Sequence, residues 1–556
     1  MLPDDTKRMR SDADKARLYD RQLRLWQKDG QAALEGARVV VLGSSTLASE
    51  SLKNLVLPGI GEFVVVDDAV VGAQDVATNF FVQAADAGQP RAERIVENLC
   101  ELNPDVAGRA VVRAPAAVVA AEDPDADAAL LAGASLVIAC AQPAAVVQAA
   151  SRRCWAAGVP LLAATSAGLL AEVRAAVREH TVVESHAAAR PDLRLTAPFP
   201  ALREYVDSVD LGALDSPALA HVPFVVLLIK ALDAWAAAAA AEKRALTYAQ
   251  KKEVAAAVRA MAPGPDEENF AEAAAAATTG CADYEIPGDV ARILADPAAD
   301  QPATPFWLLV AALRRYVASD YAAGTLPHSG SIPDMKADTH SYVTLQRIYK
   351  QKAEQDRAEL AAHLRAVMHD AGLPADHVSA AAIDVFCKNA ARLRVLRTAP
   401  LHADRPALDA LAADGALAHY ALFRAAERFH AAHGRYPGAP PAGAAAETGT
   451  ETEAETETEA ETVAGLDALV ERDARALADA ARALMADEWG VESPEVPDAL
   501  AAEFARSGFL ELHNISAVAG GIVAQEAIKL ITHQYVPHDN TCIIDTANSK
   551  LVATRA

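Results

Sequence analysis

Basic residues are scarce in this chain. Its 51 Lys and Arg stand against 75 Asp and Glu, a formal net charge of −24 over 556 residues. A surface with that balance repels a phosphate backbone, so nucleic-acid binding is disfavoured as a main activity. Close cysteine pairs are missing as well: the six cysteines fall at 100, 140, 154, 281, 387 and 542. A disulfide framework or a zinc site needs tighter, repeated spacing, so the chain reads as one from a reducing compartment, cytoplasm and nucleus. The opening "MLPDDTKRMRSDADKARLYD" has no apolar core and does not read as a secretory signal. The most apolar stretch, "HVPFVVLLIKALDAWAAAAAA", is interrupted by Lys230 and Asp233 and reads as a buried helix, so no membrane partner is expected. The fifteen histidines do not cluster at ligand spacing, and His430 and His433 read as a surface pair, so no metal is expected.

What is present suits a soluble globular chain, with 52% hydrophobic and 23% charged residues. The length predicts about three or four domains. Helical spacing over 15–34 gives way to alternating signals: strands at 38–42, 62–66, 110–113, 135–140 and 160–164, helices at 46–57, 90–102 and 144–157. That alternation predicts a parallel sheet. From 171 to 505 the pattern is long helical runs, among them 222–262, 304–323, 341–373 and 405–433. Within them, 438–465 reads as a solvated loop whose acidic core, "ETGTETEAETETEAET" at 447–462, holds seven Glu and nothing to bury. Residues 506–556 return to the first style, with the helix "HNISAVAGGIVAQEAIKLIT" and the strands "NTCIIDT" and "KLVATR". Gly520-Gly521 stand where a close backbone approach is useful. The fold class is α/β: a Rossmann-like domain over 1–170 and 506–556, interrupted by a large, mainly helical insertion over 171–505.

The turn after the first strand, "VVVLGSSTLASE", carries the question of function. In a dinucleotide-type βαβ unit the first glycine makes the turn and the second admits phosphate. The third lets helix and strand pack. Gly43 fills the first place, whereas Ser45 and Ala48 fill the others; Asp67 ends the second strand, where an acid would hold a ribose. Ser45 adds a Cβ where phosphate needs room. We read a retained fold with a degenerate nucleotide site at Gly43, Ser45, Ala48 and Asp67, and no cofactor bound by this chain.

Four segments, "YDRQLRLW", "LKNLVLPGIGEFVVVDD", "AGQPRAERIVENLCELNPDV" and "AGGIVAQEAIKLIT", together resemble the adenylating enzymes of ubiquitin-like proteins, whose domains are ThiF-like. "VVESHAAARPDLRLTAPFPALREY", "PDEENFAEA", "LPHSGSIPDMKADTHSYVTLQRIY" and "RFHAAHGRYPG" resemble more narrowly the non-catalytic, regulatory subunits of the neddylation activating enzyme. The likeness runs nearly end to end, apart from the acidic tract and the first dozen residues. Active subunits of this family carry Gly-x-Gly-x-x-Gly, then Asp-x-Asp, then an Asn, Arg, Gln and Phe motif. Here the second Asp falls on Ala69, and the motif on Ala77, Thr78, Asn79 and Phe80; the family's Lys becomes Arg91. The carboxylate expected after Cys140 to help hold Mg²⁺ is absent from "ACAQPAA". A site so altered cannot neutralise the charge that builds on ATP phosphates.

The resemblance implies further roles. The Arg of its Y-x-R-Q motif reaches into the partner's ATP site, and that position is Arg21; from the residues alone Arg21 is a surface Arg on an amphipathic helix. Leu326, Pro327, Ile332, Pro333, Asp334 and Met335 form a proline-stiffened segment that the resemblance places against the catalytic partner; the bland alternative is a buried connector. Cys281 is the one cysteine in a loop context, and the resembled subunit has no catalytic Cys. The implied function is to support ATP- and Mg²⁺-dependent adenylation of a ubiquitin-like modifier by a separate catalytic subunit, with thioester transfer to that partner, upstream of cullin modification. A pure scaffold and an autonomous homodimeric adenylating enzyme stay open as alternatives.

Overall fold

The computed structural model of the chain describes residues 11–120, 130–131, 133–188, 191–239, 246–264, 266–403, 406–441 and 455–556. It divides into two compact units, Met1–His180 with Leu396–Ala556, and Thr181–Val395.

The first unit is built on an eight-stranded sheet. Its strands are β1 (Arg38–Leu42), β2 (Glu62–Val66), β3 (Ala107–Val111), β4 (Leu136–Cys140), β5 (Leu161–Ala167) and β6 (Leu170–Ala176). A separate two-stranded sheet joins β7 (His180–Val182) to β8 (Arg394–Leu396), and the main sheet is completed by β9 (Thr541–Asp545) and β10 (Lys550–Thr554). The main order is β10-β9-β6-β5-β4-β1-β2-β3, with β1 to β5 parallel and the pairs β5–β6, β6–β9 and β9–β10 antiparallel. The central strands read as unbroken apolar runs because both faces are covered. Their two-residue alternation sorts the side chains into two cores. Val39, Val41, Phe63, Val65 and Ile138 enter one cluster, while Val40, Leu42, Val64, Val66 and Val137 enter the other.

Five helices of this unit matter for the site: α1 (Asp12–Leu18), α2 (Asp20–Glu35), α3 (Thr46–Val56), α4 (Ala73–Thr78) and α5 (Arg91–Leu102). α3, α5 and the helix His513–Thr532 share the first cluster; the helix Ala144–Ala157 lies in the second. The helix His513–Thr532 is long and apolar enough to cross a membrane by composition, and most of it is buried in this core.

Several expectations are corrected. β3 runs over 107–111, earlier than expected, and β6 is a strand where the helical region was to begin. β6 pairs back on β5 through a two-residue turn at Gly168, whose φ is +57°, although its Ala, Glu and Arg residues are good helix formers. The units part at 180/181 and 395/396 rather than at 170 and 505, and they number two. The helices Leu417–His433 and Asp498–Ser507, expected in the insertion, pack with Ala167 and Leu170 of the sheet unit. The expected loop over 438–465 lies partly outside the described residues, at 442–454, but from Glu455 it is helix, continuing to Ala483. Glu and Ala favour helix, and the later turns are anchored by buried Leu477, Ala478 and Ala481.

The second unit is helical. One cluster gathers the helices Phe224–Ala239, Tyr248–Ala260 and Glu268–Gly280; a second gathers Pro305–Val317. The 32-residue helix Thr339–Asp370 contributes Leu345 and Tyr349 to the first and Leu360 and Leu364 to the second. The apolar run over 222–262 is two helices, because Thr247 caps the second one with Gln250 in a reciprocal box.

Candidate functional site

β1 ends at Leu42 and the chain turns through Gly43, whose φ is +96°. A Cβ there would stand 2.6 Å from the Cys140 carbonyl oxygen and 2.5 Å from Gln142 Nε2. The first glycine is therefore held by the turn itself. Ser44 follows, and Ser45 is the N-cap of α3, accepting from the Ala48 N–H at 3.4 Å.

The crevice beyond this turn is filled from within. Asp67 Oδ2 accepts the Ser44 N–H at 2.9 Å, the Ser44 hydroxyl at 2.5 Å and Arg91 Nη2 at 3.0 Å. Its Oδ1 accepts the Ala69 N–H at 3.1 Å. Arg91 also donates to Ser44 Oγ at 2.9 Å and to Asp75 Oδ1 at 2.6 Å. Burial works to raise the Asp67 pKa, but the Ser44 hydroxyl and the Arg91 charge outweigh it and hold the carboxyl below its ordinary range. The acid expected to hold a ribose is committed to its own chain.

A second carboxyl sits at the start of α3. Glu511 Oε2 accepts the Leu47 N–H at 3.2 Å, across 464 residues of sequence. The side chain is buried, and burial pushes its carboxyl pKa up against the pull of the Ser45 hydroxyl and the Leu47 and Thr46 amides.

The other altered positions have become structural. Ala69 accepts the Arg91 N–H through its carbonyl at 2.9 Å. Ala77 and Thr78 close α4, and the Thr78 hydroxyl meets that of Thr46 at 3.2 Å. Asn79 is buried and donates to Ser49 Oγ at 3.0 Å, while Phe80 is 78% exposed. After β4, Gln142 donates to the Cys140 carbonyl at 3.1 Å. Among the described residues no group of three His, Cys, Asp or Glu could hold a metal. The residues at this crevice do not fit ATP with Mg²⁺: the acid is taken, the helix terminus is covered and the metal carboxylate is missing.

Arg21 is exposed on α2 and has no ion pair among the described residues, whereas Arg24 pairs with Asp20 at 2.9 Å. Its neighbour Tyr19 is buried and accepts from Asn103 Nδ2 at 3.0 Å, which anchors this end of α2. The segment over 326–335 is corrected in part. Leu326 and Pro327 are buried, not displayed, and Ile332, Pro333 and Met335 are half-buried; only Asp334 of the six is exposed. The segment is tied down because Leu326 donates to the Tyr284 hydroxyl at 3.0 Å and accepts from Arg194 Nη2 at 2.9 Å. Cys281 is buried and burial pushes its thiol up to about 11, which leaves little thiolate at neutral pH. The rings of His430 and His433 pack on Tyr436 and Phe429, each with centroids 4.3 Å apart.

Sequence reasoning missed Asp75 and Glu511. Asp75 had a weak local signal as an acid in the first turn of a helix. Glu511 had none.

The ThiF family model matches residues 19–554. The chain is 34% identical to the "NEDD8-activating enzyme E1 regulatory subunit" of Xenopus laevis, covering 95% of this chain and 96% of that one. The protein of the same name from Danio rerio is 34% identical over 97% of this chain and 98% of its own. "NEDD8-activating enzyme E1 regulatory subunit AXR1" of Arabidopsis thaliana is 33% identical over 96% and 95%. With likeness of that extent on a ThiF-type sheet, the chain belongs to the ThiF family and, within it, to the NEDD8-activating enzyme E1 regulatory subunits.

Proposed function

We propose that this chain is the non-catalytic half of a heterodimer that activates a ubiquitin-like modifier for neddylation, upstream of cullin modification, in cytoplasm and nucleus. The separate catalytic subunit holds ATP and Mg²⁺, joins the modifier's C-terminal carboxylate to AMP with release of pyrophosphate, and takes the modifier onto its own Cys as a thioester. This chain binds neither nucleotide nor metal. Its part is to complete the dimer, to help form the modifier-binding surface with its helical unit, and to lend Arg21 to the partner's ATP site. A guanidinium suits that task because it stays charged and grips phosphate oxygens in a planar fork. Within 326–335, Asp334 and the half-buried Ile332, Pro333 and Met335 are the positions left for the partner.

The observation that carries this reading is the commitment of Asp67 to Ser44 and Arg91, which removes the acid a nucleotide would need. The test is modifier-dependent exchange of labelled pyrophosphate into ATP. We expect none from the chain alone, robust exchange with the catalytic partner, and a loss of roughly tenfold or more with Arg21→Ala. Full exchange by the paired Arg21→Ala variant would favour the scaffold; exchange by the chain alone would favour the autonomous enzyme.

A further inference from the structure

The free start of a helix binds anions, because its first N–H groups lack partners and the helix dipole adds partial positive charge there. In a nucleotide-binding βαβ unit a phosphate takes that place. Here the first turn of α3 receives a carboxyl instead, since Leu47 N–H donates to Glu511 Oε2 at 3.2 Å. The second oxygen, Oε1, is buried without a hydrogen-bond partner among the described residues. The segment that brings it is held on both sides. Leu510 accepts the Gly168 N–H through its carbonyl at 2.9 Å, and His513 Nε2 meets Glu50 Oε1 of α3 at 3.1 Å.

The change at the turn agrees with this arrangement. Ser45 and Ala48 add Cβ atoms where a tetrahedral phosphate needs clearance, while a flat carboxyl needs less room. We propose that Glu511 is a built-in plug in the phosphate subsite of this chain, and that its side chain keeps phosphate-bearing ligands off the start of α3. The proposal deepens the reading that this chain binds no nucleotide, and rests on it. The site behind the plug is an anion site of phosphate class, and Arg91, already bound to Asp67 and Asp75, is the nearby cation built into the same crevice.

The test uses the full chain and two probes, inorganic pyrophosphate and ATP, with calorimetric titration and thermal melting. Wild type is expected to respond to neither. Glu511→Ala and Glu511→Ser are expected to bind pyrophosphate saturably, at least about tenfold tighter than wild type, and to melt higher in its presence. If folded variants stay silent alongside a silent wild type, the plug is overturned while the nucleotide-free reading stands. If wild type binds ATP or pyrophosphate as well as the variants do, both fall. Should the variants not fold, amide exchange at Leu47 in wild type decides. Slow exchange unchanged by pyrophosphate supports the plug, and fast exchange that slows on adding pyrophosphate overturns it.

Discussion

Gly520 shows how a single residue sets the packing around the crevice. A Cβ at this position would stand 2.8 Å from the Ser51 backbone nitrogen and 2.9 Å from the Glu50 carbonyl carbon, so the C-terminal helix meets α3 backbone to backbone. A Cβ at Gly521 would meet nothing within 4 Å. Gly520→Ala should therefore destabilise the chain by about 1–3 kcal/mol through overpacking. Gly521→Ala should be neutral or stabilising by up to about 1 kcal/mol, since Ala is the better helix former. Urea midpoints of the two variants check this, and equal midpoints would refute the packing assignment. The pair was legible in sequence as a place of close approach, but nothing local told which of the two glycines faces inward. Arg21, Gly43, Ser45 and Asp67 could likewise be picked out from motif order, and the structure gives each a definite place on a strand end or helix. What Asp67 holds was not legible, because its partners Ser44 and Arg91 lie 23 and 24 residues away in sequence.

At the scale of elements, β6 and the helix Leu417–His433 are joined by buried charges. Glu172 pairs with Arg174 at 2.7 Å and with Arg424, and both arginines reach Glu427, at 3.3 and 3.1 Å. Two acids and two bases balance, so the cluster tolerates burial as long as it is complete. Removing one charge leaves an uncompensated cation in a dry place. Glu172→Gln should cost about 3–5 kcal/mol, read as a lower denaturation midpoint, whereas a surface exchange such as Glu471→Gln, in an exposed pair with Arg475, should shift it little. A Glu172→Gln chain as stable as wild type would show that the cluster is solvated. The parallel strands and their helices were readable from apolar runs and turn signals. β6 was not, because its Ala, Glu and Arg residues are good helix formers and Glu172 and Arg174 interrupt the apolar run that marks the other strands. The helical start at Glu455 departs from the loop that its acidic composition suggests, because Glu is a good helix former.

At the scale of the molecule, the helical unit Thr181–Val395 has two apolar clusters of its own, centred on the helices Phe224–Ala239 and Pro305–Val317. Among the described residues, both clusters are built from positions between 181 and 395. A fragment spanning 181–395 should fold alone, giving a helical circular-dichroism spectrum and one cooperative thermal transition. A broad, non-cooperative melt would show that this unit needs the rest of the chain. The sequence by itself determined the α/β character, the principal strands and helices, the altered glycine turn and, through motifs in a fixed order, the family. These follow from short-range physics: side-chain periodicity, capping, turn chemistry and the spacing of a few residues. Only the tertiary structure decided that Leu326 is buried, that the helices between 396 and 505 belong with the sheet, and that Glu511 and Arg91 occupy the crevice. Those outcomes depend on which distant segments come together to bury apolar surface and pair charge, and local patterning does not encode a hydrogen bond that spans 464 residues.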